Sequence, residues 1–298
     1  MKNKPILVFL LLTFLLILSY DVKLPKTLPT NEQLDSATQK ITYEIVVPVM
    51  VNRMPSKSKL QKHMRLYNRK LTTLELDIKE VNTRKLSPKT VNITLRWTGS
   101  SFAIKSDNSS TVYLTAFHVV DWENVVNMVQ EAINQSGINA RILSRDIKVT
   151  NNMLYKDYQM YDAPFKVLGK AKYMDVALLH SNATNIPTVK LGSSNKLMIG
   201  DIVRAIGSPL GLQHSYSEGY VAKTHSIIGL SDFLQVDLSI SPGNSGCMLV
   251  NSKGEVVGII DALMVAKYGA SPGLAIPIDD VKEWMKYNGF EYLIKGSN

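Results

Sequence analysis

Three polar side chains in this chain lie at the edges of apolar runs, where a folded protein exposes reactive groups on a rigid support. Ser245 sits in Ser241-Pro242-Gly243-Asn244-Ser245-Gly246, with a glycine on either side of the Asn-Ser pair. His118 closes Thr115-Ala116-Phe117-His118 behind the run Val112-Tyr113-Leu114, and Asp175 heads the run Val176-Ala177-Leu178-Leu179. A serine hydroxyl is a weak nucleophile at neutral pH. It needs a base within hydrogen-bond reach, and that base needs a third group to fix its tautomer. Serine, histidine and aspartate supply those parts, and the chemistry they point to is acyl transfer. The flanking glycines permit a tight turn that aims the amides of Gly243 and Ser245 at one spot, an oxyanion hole. Alone, Gly-Asn-Ser-Gly reads equally well as a surface turn; the histidine and the acid tip the balance.

The chain order His, Asp, Ser is that of chymotrypsin-type hydrolases, not of subtilisin or the α/β-hydrolases. Further segments extend the likeness: Gly99-Ser100-Ser101-Phe102-Ala103-Ile104, Ile206-Gly207-Ser208-Pro209-Leu210-Gly211-Leu212, Ser217-Glu218-Gly219-Tyr220-Val221, Gln235-Val236-Asp237-Leu238-Ser239-Ile240 and Gly273-Leu274-Ala275-Ile276-Pro277-Ile278. In this order they resemble the HtrA/Deg serine proteases over residues 86–290. The resemblance implies an all-β fold of two six-stranded antiparallel β-barrels, the trypsin-like architecture, with a short C-terminal helix. It implies a serine endopeptidase acting on misfolded or unfolded polypeptides without a cofactor or metal. His118, Asp175 and Ser245 would form its triad, and the Gly243 and Ser245 amides its oxyanion hole. It also implies homotrimers, and activity set by ordering of the 241–244 loop.

Several positions depart from the family pattern. Cys247 and Met248 stand where a glycine and a proline usually follow the nucleophile; Cys247 reads as a small buried side chain, with a redox switch as the sharper alternative. Trypsin-like enzymes that select Lys or Arg carry an acid six residues before the nucleophile, where this chain has Ser239 beside Ile240. With Leu274 and Ala275 as the facing wall, the resemblance implies a modest apolar pocket for small aliphatic side chains. The segment 121–136 has Val125, Val126, Val129 and Ile133 at helical spacing with Gly137 beyond, predicting an amphipathic helix packed on the first barrel or an inserted lid. The residues after Ser245 complete the second barrel and a short helix N-capped by Asp279 and closed by Asn288-Gly289, leaving no room for a PDZ domain. Spoiled oxyanion geometry around Cys247 and Met248 would leave a rival reading: a protease-fold protein that binds polypeptides without cutting them, as a holdase or scaffold.

Composition narrows the class further. Hydrophobic residues make up 45% of the 298, an ordinary globular content that excludes disorder throughout. One cysteine excludes an internal disulfide. The formal charge of +9 is concentrated in residues 1–85, and the remainder is close to neutral, which makes nucleic acid a poor partner. His63, His180, His214 and His225 show no metal-ligand spacing.

The amino-terminal third divides into 1–20, a targeting segment, and 21–85, a basic linker or extension; 86–298 is the protease domain. Lys2 and Lys4 before the apolar stretch 6–18 form a signal anchor or a cleaved signal peptide. Either places the protease domain outside the cytoplasm, membrane-anchored or periplasmic and secreted. Residues 21–40 read as a linker and 41–51 as a strand. The basic, acid-free run 53–70 has helical spacing and fits a membrane surface, pairing between copies, or solvated packing on the domain. Leu74, Leu76 and Ile78 alternate as in a strand.

Overall fold

The computed structural model describes residues 31–51, 74–80, 89–135, 140–142, 148–156, 159–208, 215–228, 231–241, 243–261 and 273–294. The apolar segment behind Lys2 and Lys4, the basic run 53–70, Pro242, and 209–214 with His214 lie outside them. Among the described residues no helix is long and apolar enough to cross a membrane.

Runs rich in β-branched and aromatic residues dominate the chain and form strands. The first eight are β1 (Thr38–Val51), β2 (Leu74–Glu80), β3 (Lys89–Ser106), β4 (Thr111–Ala116), β5 (Ala140–Ile142), β6 (Lys148–Lys156), β7 (Gln159–Ala171) and β8 (Val176–Ser181). They build one eight-stranded sheet in the order β2-β3-β4-β8-β7-β6-β1-β5, with a further pairing of β1 to β3. β1 and β2 precede residue 86, yet β1 pairs with β3 from Thr38–Phe102 to Val51–Lys89. Part of the basic extension therefore belongs to the sheet that carries the rest of this half. The stretch expected to be linker ends in a helix, Asn31–Ala37, because Leu34 and Ala37 are buried in the core.

The second half comprises β9 (Ile202–Gly207), β10 (Ser215–Ile228), β11 (Ser231–Asp237), β12 (Met248–Asn251), β13 (Val256–Ile260) and β14 (Gly273–Pro277). They form a closed barrel in the order β10-β11-β14-β13-β12-β9. β13 and β14 are buried at every position, which is why they read as continuous apolar runs without alternation. Cys247, Leu249 and Val257 fill the barrel with Val236 and Ala275. A second cluster joins the halves: Phe102, Ile104 and Leu178 meet Ile206, Met248 and Ile276.

Two helices were legible in the sequence. Trp122–Gln135 matches the 121–136 periodicity; Val125 and Val126 are half-buried, and the Gln130 side-chain carbonyl accepts the Ile142 amide at 3.2 Å, tying the helix to β5. The carboxy-terminal helix is Ile278–Tyr287, with Pro277 and not Asp279 at the N-cap. Asp279 lies inside the first turn because its carboxylate is used elsewhere. It accepts from Ser193 Oγ at 2.6 Å and the Asn195 amide at 2.9 Å, and pairs with Lys282 at 2.5 Å. Asn288 and Gly289 close the helix as expected, their amides donating to Trp284 and Lys286 carbonyls at 3.0 and 3.2 Å. Beyond it Phe290 packs on the first half: a Cβ on Gly169 of β7 would stand 2.8 Å from the Phe290 ring.

Candidate active site

β4 and β8 are antiparallel neighbours whose register pairs Ala116 with Val176. The residues just beyond both ends therefore meet, and these are His118, in the turn Phe117–Val119, and Asp175. The Phe117 amide donates to the Asp175 carbonyl at 2.9 Å, the His118 amide to Asp175 Oδ1 at 2.8 Å, and His118 Nδ1 meets Asp175 Oδ2 at 2.5 Å. To serve both turns, Asp175 adopts φ 57°, a left-handed conformation that aspartate tolerates better than most residues. With Nδ1–H directed at the carboxylate, the ring's Nε2 is left as the basic nitrogen. The two side chains are only 18% and 22% exposed. Burial alone would push the imidazole pKa down. The adjacent Asp175 charge and hydrogen bond, with Asp261 and Asp121 further off, outweigh it and hold the ring at about 9.

Ser245 comes to the same corner from the barrel, on the loop between β11 and β12. Its carbonyl accepts the Ser100 amide at 2.8 Å. Ser100 Oγ in turn donates to the Gly243 carbonyl at 2.8 Å and accepts the Ser208 amide at 2.9 Å. The Thr115 hydroxyl donates to the Ser100 carbonyl at 2.7 Å, three residues before His118. Gly246 completes the fit: at φ +83°, a Cβ would fall 2.3 Å from both the Ser100 carbonyl and Thr115 Oγ1. Only glycine satisfies that conformation and that contact together. Within the loop, the amides of Asn244, Gly246 and Cys247 donate to the carbonyls of Ser241, Ile260 and Asn244. Among the described residues, those of Gly243 and Ser245 donate to no backbone carbonyl. Ser245 itself is 6% exposed.

Two residues at this corner escaped the sequence reading. Ser100 stood there only as part of a glycine-serine strand, and nothing in its local sequence reports a contact with a loop so distant along the chain. Asp261 carries a stronger signal, since an acid directly ends the apolar run Val256-Val257-Gly258-Ile259-Ile260. It is 3% exposed, and its carboxylate, that of Asp175 and the His118 ring lie within 4.8 Å of one another.

The remaining candidates fall as follows. Cys247 is fully buried and burial pushes its thiol far above the usual range, so the protonated, unreactive form is held inside the barrel. Ser239 is exposed, and Ile240 lies against Gly273, where a Cβ would stand 2.3 Å from its Cδ1. Leu274 and Ala275 are both buried on β14, but adjacent strand residues face opposite ways: Leu274 joins the cluster between the halves and Ala275 the barrel interior. His225 pairs with Asp232 at 2.6 Å on the surface, and His180 lies half-buried on β8.

The chain is 46% identical over 132 residues to a probable periplasmic serine endoprotease, DegP-like, of Pseudomonas putida F1, covering 42% of this chain and 28% of that one. It is 35% identical over 188 residues to the putative serine protease HhoB of Synechocystis, covering 61% of this chain and 38% of the relative. The chain thus spans well under half the length of these curated relatives. The solved HtrA-type protease AlgW with decapeptide superposes with a TM-score of 0.51 at 19% identity, covering 90% of this chain and 68% of that one, a likeness of fold. Residues 99–259, more than half the sequence, match the trypsin-like peptidase domain, and the chain belongs to the trypsin-like peptidase family.

Proposed function

We propose that this protein is a serine endopeptidase of the HtrA/Deg type, hydrolysing peptide bonds through an acyl-enzyme. One observation carries the reading: a half-buried His–Asp pair at the ends of β4 and β8, and a Gly-Asn-Ser-Gly loop that Ser100 and Thr115 tie to the same corner. His118 Nε2 takes the proton from Ser245 Oγ as the oxygen attacks the scissile carbonyl, then returns it to the leaving amine. Asp175 fixes the tautomer and stabilises the imidazolium. The Gly243 and Ser245 amides, which serve no described backbone carbonyl, receive the oxyanion; one such donor is worth about 3 kcal/mol.

The same reading extends to the rest of the molecule. The double pairing of β1, to β3 and to β6, supports the amino-terminal sheet as the other barrel of the fold. The P1 pocket lies beside Ser239 and Ile240, and the Ile240 contact with Gly273 favours small aliphatic side chains over Lys or Arg. Unfolded polypeptides are the substrate class, the compartment is extracytoplasmic, and a homo-oligomer is the working form. The non-cutting alternative is weakened by Cys247, which occupies the barrel interior without unseating the loop.

The test is labelling of the purified chain by a fluorophosphonate beside its Ser245→Ala variant. The parent should label and the variant should not. A parent that stays unlabelled at every pH, or a variant that labels equally, removes Ser245 from the mechanism.

A further inference from the structure

Resting on that triad, we infer that Asp261 is a positioning residue for the base: a second carboxylate, itself buried, that stabilises the His118 imidazolium and so sets the pH above which the ring is free to accept the serine proton. Asp261 directly follows β13, with its amide donating to the Leu274 carbonyl at 3.0 Å, which holds its backbone in place. Its carboxylate is almost wholly buried and within 4.8 Å of the Asp175 carboxylate and the His118 ring. A buried anion is costly unless a cation or hydrogen bonds compensate it. Two carboxylates this close repel each other unless a positive charge or a shared proton lies between them. The imidazolium is the cation within that group of three.

The other charged groups around the ring do not reverse the balance. Asp121, at the start of the following helix, adds a further negative charge. The Lys170 ammonium lies 5.4 Å from the centre of the neighbouring Phe117 ring, one residue away. Cys247, on the loop beyond Ser245, is held as the neutral thiol. His118 therefore sees three acids, consistent with its pKa being held at about 9. The consequence is two-sided. The imidazolium formed during attack is stabilised, which makes the base strong. The same field favours the protonated resting ring, so the share of free base grows as the pH rises.

The experiment is the pH profile of fluorophosphonate labelling rate in the full chain, compared among the parent, Asp261→Asn, Asp261→Ser and Asp261→Glu. The parent's rate should rise with a midpoint in the alkaline range. In the two neutral variants that midpoint should move down by about one to two pH units, as expected for removing one charge at this distance. The Glu variant should return towards the parent. A midpoint unchanged in the neutral variants would overturn the role of Asp261 while leaving the triad intact. If both neutral variants fail to fold and Glu folds, the carboxylate is a structural group and the inference falls. No labelling of the parent at any pH would overturn the triad reading instead. A parallel imidazole NMR titration of Ser245→Ala, with and without Asp261→Asn, reads the same shift without catalysis, so loss of activity cannot imitate it.

Discussion

Asp175 holds His118 at two separate points, its Oδ1 taking the backbone amide at 2.8 Å and its Oδ2 the ring Nδ1 at 2.5 Å. The first bond fixes where the residue begins and the second fixes which way the ring faces. Asp175→Asn separates the two functions. Asparagine accepts the φ 57° backbone and can still receive the amide, but its NH₂ facing Nδ1 favours the wrong tautomer. Turnover on an unfolded-protein substrate such as casein should fall by about 10⁴, with thermal stability much less affected.

Ser245→Ala should lower turnover on the same substrate by about 10⁶. Turnover within tenfold of the parent would show that some other group carries the reaction.

Gly246→Ala tests the seat of the loop. The backbone strain is worth about 1–3 kcal/mol, and the Cβ would meet the Ser100 carbonyl and Thr115 hydroxyl at 2.3 Å. The loop must then leave its place against β4. Denaturant unfolding should show the loss, and labelling of Ser245 should fall more than the stability change explains.

His118 links stability to pH. Its folded pKa of about 9 lies above the ordinary 6.5, so the folded state binds the extra proton. This stabilisation is fully present below about pH 6.5 and is lost as pH rises through 9, because there neither state holds the proton. The melting temperature should fall across that window in the parent and change less in His118→Gln. Parallel slopes would show that the ring does not contribute.

Asp279 runs the opposite way. Burial pushes its pKa up, but Lys282, Ser193 and the Asn195 amide outweigh that and hold it at about 2, below the ordinary 3.8. Its contribution is present above the ordinary value and is lost as pH falls towards 2. Asp279→Asn should cost about 1–3 kcal/mol at neutral pH and flatten the acid limb of the stability curve. An equal loss at pH 7 and pH 2 would refute the assignment.

The parts of the candidate site that are local could be read from the sequence. His118 and Asp175 stand at strand ends, and the glycines around Ser245 announce a tight turn, so residue type and position sufficed to nominate them. The apolar runs of β4 and β8 were legible for the same reason, and that of β14 through the family resemblance. What was not legible depends on contacts between distant segments. Asp279 looks like a helix cap until the turn at 193–195 is placed beside it. Asp261 looks like the residue after a strand until its carboxylate is placed beside His118 and Asp175. β1 looks like part of an extension until its pairing with β3 is known, because a strand's own sequence does not name its neighbour.

The contact of Phe290 with Gly169 has a consequence for the reaction itself. Ser245 is carried by one half of the molecule and the His118–Asp175 pair by the other, so under the proposed mechanism the gap between them is a property of how the halves are packed. The carboxy-terminal helix leaves β14 and closes on β7, next to the strand that Asp175 heads. That helix therefore ties the barrel to the first sheet, and under the proposed mechanism slack introduced there would widen the gap between Ser245 and His118 and slow labelling of the serine.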